Sequence, residues 1–158
     1  MASNDREIER KYLLKALPGE TGTAPSVEID QGYLPGERIL ERIRRIRVAG
    51  NPGDRRYFRT IKMGSGIDRF ELEEETTELF FTTVWPLTRG RRIQKRRYTI
   101  MAGPDEWVID DFADRVLVLA EIELERVGQP VQPPLWLESL IDREVTYDDS
   151  YSNYRLAR

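Results

Sequence analysis

The chain contains no cysteine and no histidine. The first absence excludes a disulfide framework, a zinc–thiolate site and a cysteine nucleophile, and nothing argues for an oxidising compartment. The second excludes Ser-His-Asp and Cys-His triads and every imidazole metal ligand. Chemistry must therefore run on carboxylates, lysine, arginine and tyrosine, and any metal should be a hard, oxygen-ligated one. Long apolar runs are missing too: the first residues carry no signal-type segment, and no stretch approaches the roughly 20 apolar residues that span a bilayer. The expectation is a soluble cytoplasmic protein with no membrane contact. A dominant charge sign is also lacking, because 34% of residues are charged yet the net charge is only −3. That balance supports neither a basic nucleic-acid binder nor an acidic disordered chain.

What is present is a set of short alternating runs. EIERKYLL, ERIRRIRVAG, RRYFRTIKMG, RFELEEE, RIQKRRYTIM, EWVIDDFA and RVLVLAEIELERV all read better at period two than at the helical period. Turn residues at 34–37, 49–54, 63–66, 87–90 and 102–106 separate them, as hairpins of an antiparallel sheet require. Helices are few: 76–85 after a threonine cap and stopped by Pro86, 134–141 entered through Pro133-Pro134, and a turn or two in the tail. The 158 residues form one domain, 1–158, of the α+β class, mainly antiparallel β with a few short helices.

Sorting each run by face places the charges. Glu7, Glu9 and Lys11 share one face, as do Arg69, Glu71 and Glu73, and Glu121 and Glu123, each opposite apolar neighbours. Lys95 and Arg97 oppose Tyr98 and Ile100, and Arg45 and Arg47 oppose Ile46 and Val48. A solvated face of an amphipathic sheet explains any one such strand. It explains the set less well, because grouping like charges at cross-strand distance costs stability unless a cation collects them. If the sheet curls so that this face lines a tunnel, Glu-x-Glu pairs on three strands suit Mg²⁺ or Mn²⁺, and the basic strands suit a row of phosphates.

The opening Glu7-x-Glu9-x-Lys11 resembles the ExExK signature of the CYTH superfamily, the triphosphate tunnel metalloenzymes. The likeness extends through QGYL (31–34), Arg45-x-Arg47, RTIK ending at Lys62, RFELE (69–73), KRRY (95–98), VIDDF (108–112), EIEL (121–124), EVTYD (144–148) and YSN (151–153), in the family's order. It implies a closed tunnel of about eight antiparallel strands with a charged interior. It further implies that Glu7, Glu9, Glu71, Glu73, Glu121 and Glu123 are metal-side carboxylates. Lys11, Arg45, Arg47, Lys62 and Arg97 would hold phosphate oxygens, with Lys95 as the catalytic group near the leaving phosphate. Asp110 and Arg69 are additional candidates, Asp110 as a further ligand or as an orienter of one. ERIRRIR also offers Arg42 and Arg44; Arg45 and Arg47 are preferred because a glycine turn follows them, and a one-residue slip would reverse the choice.

The implied activity is Mg²⁺- or Mn²⁺-dependent hydrolysis of a linear triphosphate, with inorganic tripolyphosphate giving pyrophosphate and phosphate. Without histidine, proton removal from water falls to a carboxylate or to the metal, so neutral to alkaline pH should favour activity. The alternatives are a nucleoside or thiamine triphosphatase or an adenylate cyclase of the same family, and, from another class, a non-catalytic polyphosphate-binding module. The partner is a triphosphate-containing small molecule rather than nucleic acid, and a homodimer is left open.

Overall fold

The structure, a computed structural model, describes residues 3–64 and 68–158; the side chains of residues 3–6, 68 and 69 are not described, so the expectation for Arg69 lies outside the described residues. The strands are β1 (Ser3–Leu14), β2 (Ser26–Tyr33), β3 (Leu40–Val48), β4 (Asn51–Met63), β5 (Asp68–Thr76), β6 (Arg92–Ala102), β7 (Asp105–Phe112), β8 (Val118–Glu123) and β9 (Ile141–Glu144). Among the described residues three short α-helices accompany them: α1 (Glu78–Val84), α2 (Leu135–Glu138) and α3 (Asn153–Leu156). Every pairing is antiparallel, in the order β5-β4-β3-β2-β6-β7-β8-β1-β9 with an additional β5–β1 pairing. β1 meets β5 along Ser3–Ile8 and β8 along Glu9–Leu13, so the strands other than β9 follow one another round a ring. None of the helices among the described residues is long and apolar enough to cross a membrane.

β2 and β9 are additions to the strands expected from alternation, and the AGNPGD turn is tighter than expected. Val48 pairs with Asn51, leaving Ala49 and Gly50 as the turn, and NPGDRR runs as strand. Gly50 has φ of 81°, a left-handed value that any other residue reaches only with strain. Gly32 in β2 has a different reason, since a Cβ there would stand 2.6 Å from the Thr88 side chain.

Apolar side chains pack in three places. Outside β1, β7 and β8, Ile8, Tyr12, Trp107, Ile109 and Ile122 pack under Leu137 of α2. Outside β3 and β4, Ile43 and Tyr57 pack under Phe81 of α1, whose N-terminus Thr77 caps by accepting from the Phe80 N–H. Fully burying a side chain such as Phe81 stabilises by about 3 kcal/mol. The third cluster fills the ring itself: Tyr33, Ile93, Phe112 and Leu119 meet Val145 and Ala157, with Leu13, Tyr154 and Leu156 against them. Down β1 and β8 the register pairs Glu9 with Glu123, Lys11 with Glu121 and Leu13 with Leu119. The interior thus changes from acidic to mixed charge to an apolar floor.

Candidate active site

Above that floor lies a chamber of about 240 Å³, and all six Glu-x-Glu carboxylates line it: Glu7 and Glu9 from β1, Glu71 and Glu73 from β5, Glu121 and Glu123 from β8. Alternation along each strand delivers both members of a pair to one face. Lys62, Lys95 and Arg97 line the same space, with Arg42, Arg44, Gln31 and Asn153. Lys62 Nζ lies 3.2 Å from both Glu7 Oε2 and Glu71 Oε2. Arg42 Nη2 reaches Glu71 and Glu73 at 3.4 Å each, while Glu73 also accepts from Thr60 and Arg44 at 2.9 Å.

The arginine pair on β3 is the reverse of the expected one. Arg42 and Arg44 face the chamber, whereas Arg45 and Arg47 lie on the outer face, where both donate to Asp30 Oδ2, at 2.8 and 3.2 Å. Arg45 also stacks over the Phe81 ring at 5.4 Å. The cause is Ile43: it belongs to the cluster under α1, so the odd positions of β3 face outward and the even ones inward. Burial and the neighbouring Arg42 guanidinium lower the Arg44 pKa to about 10.

On β6 and β7 a buried charge cluster adjoins the chamber. Lys95 Nζ donates to Asp110 Oδ2 at 2.6 Å, and both side chains are only 1% exposed. Arg97 forks onto the same carboxylate, Nε to Oδ1 at 2.7 Å and Nη2 to Oδ2 at 2.8 Å. Burial alone would raise the Asp110 pKa, but Arg97 and Lys95 outweigh it and hold the group below the usual carboxylate range. Burial, opposed by Asp110, lowers Lys95 to about 8. The carboxylate that sequence alone leaves as a ligand or an orienter is here engaged by two cations of the chamber wall.

Lys11 lies deeper along β1. Its Nζ donates to the Tyr151 carbonyl at 3.2 Å and lies 3.5 Å from Glu121 Oε1. With Lys62 it lines a second cavity of about 290 Å³ between the ring and the tail, bounded by Tyr154 and Arg155. Asn153, common to both cavities, was not singled out by sequence reasoning, and neither was Asp30. The YSN segment was the only signal pointing to Asn153.

A divalent cation fits the donor set. All the acidic groups are hard oxygens, and Glu9 and Glu123 stand opposite each other on the chamber wall, an arrangement that repels unless a cation lies nearby. Among the described residues no group of three or more carboxylates is already drawn together to hold one. The lysines and arginines occupy several of these oxygens instead, so a cation would enter by exchange with them.

No family model matches the chain. It is 36% identical over 158 residues to an inorganic triphosphatase of Nitrosomonas europaea, covering 96% of each. Among solved structures, the crystal structure of the inorganic triphosphatase NE1496 superposes with a TM-score of 0.65 at 32% identity, over 96% of this chain and 93% of that one. The PH1819 protein from Pyrococcus horikoshii OT3, at 20% identity and a TM-score of 0.55 over 77% of this chain and 80% of that one, shares the fold. The charged chamber lies inside a ring-closed antiparallel barrel with Glu-x-Glu pairs on three strands. The chain belongs to the CYTH superfamily, alongside the inorganic triphosphatase relative.

Proposed function

We propose that this chain hydrolyses inorganic tripolyphosphate to pyrophosphate and orthophosphate in the cytoplasm, using Mg²⁺ or Mn²⁺. The observation that carries this reading is the chamber wall, where carboxylates from three strands face lysines and arginines from three others. A cation with a polyphosphate satisfies both signs at once. The 36% identity to a protein named for inorganic triphosphatase activity supports the same conclusion. No aromatic side chain lines the chamber among the described residues, which favours an inorganic chain over a nucleoside or thiamine triphosphate.

Glu7, Glu9, Glu71, Glu73, Glu121 and Glu123 are the residues to hold the metal. When bound, a divalent cation would supply charge neutralisation and orientation of the phosphate chain. Arg42, Arg44, Lys62 and Arg97 grip phosphate oxygens, and Lys11 secures the chain at the deep end. Water attacks the terminal phosphorus in line, its proton passes to a chamber carboxylate, and the bridging P–O bond breaks. Pyrophosphate leaves with the added charge, which Lys95 stabilises. Because the cations come from several strands, only a ligand long enough to touch them all is held for attack.

A panel of pyrophosphate, tripolyphosphate, ATP and thiamine triphosphate, assayed for orthophosphate release with Mg²⁺ and Mn²⁺, tests this. Tripolyphosphate is expected to exceed the others in kcat/KM by about tenfold or more, the value of one remote contact turned to positioning. Equal turnover of pyrophosphate would remove the length argument. Tight binding of tripolyphosphate without any release would leave a binding module in place of an enzyme.

A further inference from the structure

We propose that Asn153 is a positioning residue for Lys95: its side-chain oxygen, delivered by the turn into α3, aims the Lys95 ammonium into the chamber. This rests on the role given to Lys95 in the reaction proposed above. A lysine reaches its target on a flexible four-carbon stem and is aimed only if its donors are anchored. Asp110 supplies one anchor at 2.6 Å but is shared with the fork of Arg97, so it fixes one direction from one side. Asn153 Oδ1 accepts from the same Nζ at 3.1 Å and comes from a different part of the chain. An ammonium has three donors, and an amide must face it with oxygen, so two anchors set the direction of the third N–H. Lys95 lines the chamber, and that third bond is the one left for a phosphate oxygen.

Asn153 is itself held firmly. Ser152 Oγ accepts from the Arg155 N–H, Tyr154 meets Tyr33 edge-on with centroids 5.4 Å apart, and Leu156 and Ala157 join the apolar floor.

The test compares Asn153→Ala with Asn153→Asp, which keeps an acceptor oxygen at the same place, using tripolyphosphate and Mg²⁺. Asn153→Ala is expected to lower kcat about tenfold, the worth of one hydrogen bond to a charged group, with KM within about twofold. Asn153→Asp should retain most of kcat. Melting temperatures accompany the kinetics, and if the alanine variant unfolds, Asn153→Leu, similar in shape but without an acceptor, takes its place. Wild-type kcat in a stable variant lacking the acceptor would overturn the proposal. So would equal losses in Asn153→Ala and Asn153→Asp, because a merely structural role does not distinguish them by their oxygen. A second readout does not depend on activity: the ¹⁵N ammonium resonance of Lys95, assigned with Lys95→Arg, should shift or broaden in Asn153→Ala. An unchanged resonance refutes the contact, whereas an inactive wild type with a shifted resonance refutes only the proposed reaction.

Discussion

Glu9 and Glu123 stand directly opposite one another across β1 and β8. Two carboxylates at that separation repel, and a bound cation would relieve that repulsion, so neutralising either should impair cation binding. Glu9→Gln and Glu123→Gln are compared with wild type by melting temperature, with and without metal. The rise in melting temperature on adding Mg²⁺ or Mn²⁺, which measures binding by mass action, should shrink or vanish. Turnover should fall with it. An undiminished metal-dependent rise in both variants would remove these residues from the cation site.

The two faces of β3 make opposite predictions. Arg44→Ala should lower kcat/KM for tripolyphosphate by about tenfold or more, because a charge-assisted contact to phosphate is lost. Arg45→Ala should leave kcat/KM within about threefold but lower stability by about 1–2 kcal/mol, since Asp30 loses its 2.8 Å partner on a buried carboxylate. Steady-state kinetics with urea unfolding separates the outcomes. A catalytic loss in Arg45→Ala with normal stability would contradict the observed face.

Asp110 links the site to pH. Its folded pKa is depressed, so its contribution to stability is complete above the unfolded carboxylate value of about 4 and is lost as pH falls below it. Asp110→Asn leaves Lys95 buried, and Arg97 half-buried, without the counter-charge they share and should cost about 3–5 kcal/mol at neutral pH. Its stability should then vary less than that of wild type between about pH 4 and pH 2. Chemical unfolding across that range checks both statements. Parallel pH curves would show that Asp110 is not the linked group.

Much of the chamber was legible because β1, β5 and β8 repeat one residue type at period two, leaving no doubt which positions share a face. The same alternation located the hairpins and put the apolar sides of β1, β7 and β8 outward. β3 resisted because Ile43 and Ile46 sit on opposite faces of ERIRRIR, so its pattern supports either register. Only the packing of Ile43 under Phe81 decides between them, and that contact joins segments far apart in sequence. The roles of Asp110 and Asn153 were hidden for a related reason: what each does depends on Lys95, which reaches both only once the ring has formed.

The ring is closed by a strand that waits for its partners. β1 pairs through Glu9 with Glu123 and through Tyr12 with Glu144, so much of it has no neighbour until late segments of the chain arrive. Pairings this distant in sequence make folding slow and leave unpaired backbone open to other chains meanwhile. An edge strand is kept from such association by charges along it, and β1 carries Glu7, Glu9, Arg10 and Lys11. Side chains suited to a metal and a phosphate in the finished barrel therefore also act as gatekeepers against aggregation while it forms. Replacing several of them with apolar residues would be felt first as insoluble protein.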